Sequence, residues 1–372
     1  MDFEFSKEEV LLQKSARDFL DKECKDIARE SEETSEGHSK EIWARMAELG
    51  WMGIGFPDEY GGMGGSFLEL VILLEEMGRV LLPGPFIQCP ICSGLVILEY
   101  GSEAQKKEFL PGLIDGRALT VPALETPSFY AGEPAISESL KIKDGNYILS
   151  GTRLFVPFAH IANGFLVRTE GNDDQEMLFF VESKSPGIKV RVLDSIDSGR
   201  WCELVMDKVK VPADNIIGKD DAGEKAVKRI KNLGAISHAA FVLGMLEKVL
   251  DMTTRYAKER MQFERPIGSF QTISHQMAEM AIDIEQVKYL TYHAAWKISR
   301  HMSADMEISM AKARASDASR RVCLLGVKIH GGIGIIDEYD LQLYFRRAKA
   351  NEFAFGDGGY HREMVAANFL RP

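Results

Sequence analysis

Cysteine is scarce in this 372-residue sequence, and its placement excludes the usual cysteine chemistries. Cys24, Cys89, Cys92, Cys202 and Cys323 are scattered, which does not suit a disulfide framework, so reduced thiols are expected. Cys89 and Cys92 have the spacing of a metal or redox pair. No second pair and no nearby His completes a zinc site, so no metal is expected, and two small residues packed in a helix is the plainer reading. An excess of positive charge is also missing. The formal charge of −11 argues against nucleic acid as a partner, because phosphate backbones are bound by clustered Lys and Arg. No apolar stretch approaches the length of a membrane span. The first ten residues are acidic and amphipathic and lack the basic start and apolar run of a signal peptide, so a cytoplasmic location is expected. Low-complexity tracts and fixed-period repeats are absent as well.

With 45% hydrophobic and 27% charged residues, the chain can bury large cores and is expected to divide into two or three domains. From about residue 6 to 116 the pattern is helical. Ser6-Lys-Glu-Glu9 fits a capping box, Val10, Leu11, Phe19 and Leu20 carry part of an apolar face, and Trp43 and Met46 repeat the spacing. Turn-rich Phe56–Gly65 separates that segment from an apolar helix beginning near Leu68, and Gly101-Ser-Glu-Ala-Gln105 opens another capped segment. From about 118 to 212 the runs become short and rich in β-branched or aromatic residues, as in Tyr147–Val156, Gly164–Arg168, Met177–Val181, Ile188–Val192 and Cys202–Pro212. Beyond Gly223 helical spacing returns in runs at 224–260, 269–300, 305–330 and 338–368, as in an antiparallel bundle. The expected architecture is α+β and multidomain: an N-terminal helical domain over 1–117, a middle β domain over 118–215 and a C-terminal four-helix bundle over 216–372.

Four motifs appear in a fixed order: Arg260-Met-Gln-Phe263, Lys328-Ile-His-Gly-Gly-Ile-Gly334, Phe345-Arg-Arg-Ala-Lys349 and Phe353-Ala-Phe-Gly-Asp-Gly-Gly-Tyr-His361. Together they resemble the acyl-CoA dehydrogenase family of flavoenzymes, and the resemblance covers nearly the whole length. It implies FAD as cofactor, an acyl-CoA substrate that loses an α proton to a base and a β hydride to the flavin, and electron-transfer flavoprotein as the electron acceptor. It also implies a homotetramer, or a heterotetramer with a related subunit.

The cofactor contacts follow from the same resemblance. Arg260, Gln262 and Phe263, with Gln271 shortly after, match the family's Arg-x-Gln-Phe region, which contacts the FAD of a neighbouring subunit. His330, Gly331, Gly332 and Gly334 match its Gly-rich loop, and glycines let a backbone approach a phosphate closely. Lys328 stands where that family usually has glutamine. On the flavin-ring side the corresponding stretches are Ala123-Leu-Glu-Thr126 and Phe155-Val-Pro157. Thr126 and Phe155 are the candidate contacts there, whereas Pro157 has neither hydroxyl nor backbone N–H.

The base is where this sequence departs from the family. Its glutamate lies in a Tyr-Glu-Gly-Thr run, matched here by Ala354-Phe-Gly-Asp357, so Phe355 occupies the position and cannot take a proton. The alternative position, on the first helix of the C-terminal domain, is Gly234, beside Ala235. Asp357 is the leading substitute base, with Glu352 and His238 behind it; each also has a bland reading, such as a cap at a Gly-rich turn for Asp357. The missing base opens two alternatives: a non-catalytic subunit of a heterotetrameric acyl-CoA dehydrogenase, or a protein that binds flavin or acyl-CoA without oxidising it.

Overall fold

The computed structural model describes residues 5–126, 139–141, 146–170, 176–218 and 222–370. Met1–Glu4 of the acidic start lie outside the described residues. The protein is α+β, with helical N- and C-terminal parts and a middle sheet part, and the described residues group into two compact units. The helices of the first 117 residues divide between them.

The first unit, made of 1–29, 66–82 and 235–372, is helical. It contains α1 (Lys7–Glu23), α4 (Phe67–Arg79), α7 from Ala235 onward (the helix runs Gly223–Glu259), α8 (Gln271–Ser299), α9 (Asp305–His330), α10 (Leu341–Phe353) and α11 (Gly358–Leu370). The expected capping box starts α1: Ser6 Oγ accepts from Glu9 N at 3.2 Å while Ser6 N donates to Glu9 Oε2 at 2.7 Å. Its apolar face is not the one expected, since Val10 and Leu11 are exposed and Ala16 and Leu20 are buried. The capping box fixes where a helix begins, but tertiary packing decides which stripe is covered. The two helices α4 and α7 cross at glycines, and a Cβ added to Gly244 would stand 1.7 Å from Glu75 O. Helix α9 buries Ala311, Ala315, Ala318 and Ser319, small residues that let its neighbours approach. By length and composition α7 qualifies to cross a membrane, contrary to the expectation that no stretch would, but most of that window is buried inside the protein, as in a core helix.

The expected helix over 338–368 is two helices, α10 and α11, because Phe355 and Gly356 adopt left-handed conformations (φ 56° and 99°) that a right-handed helix cannot contain.

The second unit, 30–65 with 83–234, packs short helices beside two four-stranded sheets. Its helices include α3 (Lys40–Glu48), α5 (Leu95–Tyr100) and α6 (Glu103–Ile114), while α2 (Ile27–Glu33) begins in the first unit. The strands are β1 (Thr120–Ala123), β2 (Ser139–Lys141), β3 (Asn146–Pro157), β4 (Gly164–Glu170), β5 (Glu176–Glu182), β6 (Ile188–Leu193), β7 (Trp201–Pro212) and β8 (Ile216–Ile217). One sheet has the order β1-β4-β5-β8 and the other β2-β3-β7-β6. They share one core, in which Val121, Phe165 and Phe179 of the first sheet meet Leu149, Leu204 and Val209 of the second. Gln105 ties α6 to the end of the sheet region by donating to Asp214 O at 2.7 Å and Ile216 O at 2.9 Å. All five cysteines are free and buried. Cys89 and Cys92 sit in a π-helical stretch, Ile87–Gly94, where burial pushes the Cys89 thiol up to about 12 and Cys92 higher still, so neither is a reactive thiolate.

Candidate active site and cofactor contacts

The turn that joins α10 to α11 is held from two sides. Lys312, 1% exposed on α9, donates to Ser316 Oγ at 2.9 Å and to the carbonyls of Asn351, Glu352 and Gly356 at 3.2, 3.1 and 2.9 Å. It therefore satisfies carbonyls that the end of α10 leaves unpaired. Burial pulls this amine down to about 7, against the charges of Asp357 and Glu352. From α11, His361 Nε2 meets Phe355 O at 3.0 Å while Nδ1 faces Ser309 Oγ at 3.3 Å. Burial holds the His361 imidazole down to about 4, so at neutral pH it is uncharged.

Phe355 is fixed at this turn with its ring 5.5 Å from the His238 ring. The other carboxylates near it are engaged in local structure. Asp357 Oδ1 accepts from Tyr360 N at 2.8 Å at the start of α11, and Glu352 Oε2 accepts from Lys349 at 2.8 Å. His238, on α7, is 6% exposed and contacts Asn351 Oδ1 through Nδ1 at 2.5 Å. Its Nε2 is buried with no hydrogen-bond partner among the described residues. Sequence reading named His238 and Glu352 as lesser substitutes for a base and His361 only as the end of the last motif, with no role, and it had no signal for Lys312 or Asn351. Those residues come together only through packing of helices: Lys312 reaches Asn351 across 39 residues of chain, and His238 reaches Asn351 across 113.

The adenine-side candidates lie on exposed turns of the first unit. After α7, β9 (Met261–Gln262) and β10 (Arg265–Pro266) form a hairpin in which Gln262 pairs with Arg265. Phe263 and Glu264 at its tip have φ of 50° and 62°, the conformations a two-residue hairpin turn requires. Phe263 is 86% exposed, and Arg260, Gln262 and Gln271 are exposed beside it. The Arg265 guanidinium lies 4.1 Å over the Phe270 ring, which stiffens the base of the hairpin. At the end of α9, Gly331 has φ 65°, and a Cβ added at Gly331 or Gly332 would meet nothing within 4 Å, so the backbone there is open to a ligand. Lys328 is exposed one turn before. His330 and Gly334 are placed differently: both are buried. His330 stacks on Tyr256 at 4.4 Å, and its Nδ1 lies 2.8 Å from Gly326 O and its Nε2 3.1 Å from the Tyr339 hydroxyl. Gly334 packs against Val327 and His330. This donor set of one guanidinium, two amides, one ammonium and open glycine backbone fits the pyrophosphate of a dinucleotide.

The ring-side candidates belong to the second unit. A bulge between Arg153 and Val156 throws Phe155 outward with φ 53°, leaving it 45% exposed. Thr126 is buried, and neighbouring Glu125 accepts from Leu154 N at 2.9 Å. Pro157 pairs in register with Trp201 but has no N–H to give. Arg200, unremarked in sequence reading, lies beside that pair and donates to Ser198 O at 2.8 Å and Glu32 O at 3.1 Å.

Residues 6–117 match the family model "Acyl-CoA dehydrogenase, N-terminal domain", and residues 221–370 match "Acyl-CoA dehydrogenase, C-terminal domain". An acyl-CoA dehydrogenase of Bacillus subtilis is 31% identical over 98% of both chains. Among solved structures, a chain of the ChsE4-ChsE5 complex from Mycobacterium tuberculosis is 28% identical, with a TM-score of 0.93 and full coverage of both chains. Butyryl-CoA dehydrogenase from Megasphaera elsdenii is 28% identical, with a TM-score of 0.92 and the same coverage.

Proposed function

Because this chain belongs to the acyl-CoA dehydrogenase family, whose cofactor is FAD, we propose that it is a cytoplasmic enzyme of acyl-CoA α,β-dehydrogenation that delivers electrons to an electron-transfer flavoprotein. The observation that carries this reading is the exposure of Arg260, Gln262, Phe263, Gln271 and Lys328 together with the open backbone of Gly331 and Gly332. The Phe263 ring meets Phe270 edge-on at 6.0 Å yet stays 86% exposed at a hairpin tip, which supports contacts made to the FAD of a neighbouring subunit in a tetramer. In this reading the guanidinium, amides and ammonium hold the pyrophosphate, and Phe263 packs on the adenine end. Thr126 and Phe155 of the second unit serve the ring end. His330 and Gly334 act through packing, by holding the turn that displays Gly331 and Gly332. When bound, FAD supplies the acceptor for the β hydride. Lys312 and His361 fix the turn beside which the α carbon is handled, and Phe355 lines it with an apolar ring. No carboxylate stands at position 355, so the α proton must pass to another group.

A second reading is favoured by Phe355 itself: the chain as the non-catalytic subunit of a heterotetramer. The likeness to a chain of a complex named for two different components supports it. The test is the FAD content of the chain purified alone, by absorbance after gel filtration, followed by anaerobic addition of acyl-CoA. Near-stoichiometric flavin that bleaches supports the enzyme reading. Little flavin, recovered only with a companion chain, supports the second.

A further inference from the structure

We propose that His238 is the general base of this chain, taking the α proton of the bound thioester on Nε2, with Asn351 as its positioning residue and Phe355 as the apolar wall beside it. The inference rests on the enzyme reading above. Its ground is an unexplained atom. His238 is 6% exposed, and its Nε2 has no partner among the described residues, although buried polar atoms are normally hydrogen-bonded. Among the buried atoms of the described residues without a partner, this one alone belongs to an imidazole beside the position of the usual carboxylate.

The tautomer follows from the network. The Asn351 amide nitrogen donates to Arg347 O at 2.9 Å, so its Oδ1 faces His238 and must receive a proton from Nδ1, 2.5 Å away. Nε2 then carries a lone pair, which is the form a base requires. This is the arrangement of a base oriented by a third group, built here from α7 and α10. The imidazole and the Phe355 ring share one locality, with ring centres 5.5 Å apart. Phe355 holds the position that resemblance assigns to the usual carboxylate, so the substitute base lies next to the group it replaces.

The strength of the base is suitable. Burial, and secondarily the Lys312 charge, hold the imidazole down to about 4, against the Asn351 contact. An ordinary glutamate lies at about 4.3, so a neutral imidazole here offers nearly the basicity of the missing carboxylate. Asp357 is the rival: its Oδ1 caps the first turn of α11 through Tyr360 N, which ties the carboxylate to that turn, and its Oδ2 is the competing acceptor that the Asp357→Asn variant below removes. In the step, the Nε2 lone pair forms an N–H bond as the α C–H bond breaks. The released pair would become the C=C bond with FAD, when bound, as the acceptor of the β C–H pair, and the imidazolium later gives its proton to solvent.

The experiment is exchange of the α hydrogens of butyryl-CoA and octanoyl-CoA in D2O, followed by mass spectrometry on the holoprotein and on His238→Gln. Flavin content, melting temperature and acyl-CoA binding are measured on the same samples. We expect exchange to fall at least about 100-fold in His238→Gln, with flavin content and acyl-CoA binding unchanged within about threefold. Adding Phe355→Glu to that variant should restore exchange, because it supplies a carboxylate at the neighbouring position; the rescue also separates a chemical loss from a misfolded variant. Undiminished exchange in His238→Gln, or its loss in Asp357→Asn instead, would overturn the proposal. A wild-type protein that holds flavin and acyl-CoA but exchanges nothing would overturn this proposal alone. One that holds neither would overturn the enzyme reading with it.

Discussion

Replacing Glu75 by glutamine should stabilise the protein above neutral pH and do almost nothing at pH 4.5. Glu75 sits on α4 where Gly244 of α7 comes closest, and it is 1% exposed. The Tyr292 hydroxyl donates to its Oε2 at 2.5 Å. Burial first, and then the charge of Glu247, raise the carboxyl from 4.5 to about 7, while Tyr292 and Lys288 pull it back. A carboxyl with a raised folded-state value binds its proton more tightly in the native protein. Its stabilising contribution is therefore fully present below 4.5 and lost as pH rises through about 7. The difference of about 2.5 in pKa, at about 1.36 kcal/mol each, amounts to about 3 kcal/mol at pH 8. Glutamine keeps an oxygen for Tyr292 and cannot ionise. With about 2.1 cal/mol/K of unfolding entropy for each of 372 residues, 3 kcal/mol corresponds to about 4 °C in melting temperature. Thermal unfolding followed by circular dichroism at pH 4.5 and pH 8, at equal ionic strength, reads the effect. An equal shift at both pH values, or a loss of stability at pH 8, would refute the reasoning, since only ionisation makes the substitution pH-dependent.

Gly244→Ala places a Cβ 1.7 Å from Glu75 O, and backbone cannot yield as a side chain would, so a loss of at least about 2 kcal/mol is expected in the same unfolding assay. Lys312→Met removes the donors that hold the end of α10 and should cost about 3 kcal/mol at neutral pH. Because burial lowers the Lys312 amine to about 7 from 10.5, the native state releases its proton first; wild-type stability should rise with pH between those values, and the variant should lack that rise in denaturant titrations. Phe263→Ala should leave the melting temperature of the flavin-free protein within about 1 °C, since the ring is 86% exposed, yet lower the flavin retained through gel filtration.

Much of the fold was legible because its signals are local. The capping box at Ser6, the capped segment at Ser102 and the strands around Tyr147, Phe165 and Val205 were readable from spacing and turn residues, and they stand within one or two residues of where they were expected. What failed depended on partners elsewhere. The exposure of Val10 and Leu11 is decided by what packs on α1, and the break at Phe355 by a left-handed turn at a non-glycine residue. Such a residue carries no compositional mark, because its strain is offset by contacts from other helices: Lys312 on α9 and His361 on α11.

The candidate site shows the same division more sharply. A sequence displays which residue stands at a motif position, so the substitution of Phe355 for a carboxylate was plain, and Asp357, close by in the chain, was the natural replacement. Chain proximity is a poor guide to a base, because a proton acceptor needs a free lone pair and a fixed orientation at one point in space. Asp357 has its Oδ1 engaged by the first turn of α11, as a short polar residue before a helix usually does, and that bond ties the carboxylate to the turn. His238 lies over a hundred residues away on α7, yet Asn351 meets its Nδ1, its buried Nε2 has no hydrogen-bond partner among the described residues, and its ring lies 5.5 Å from that of Phe355. The physical distinction between the two is what each atom has left to offer, and that becomes visible only when all hydrogen-bond partners are placed. The phenylalanine then has a role of its own. An apolar ring beside the imidazole adds no charge to it, and burial keeps the imidazole neutral and ready to accept a proton at physiological pH.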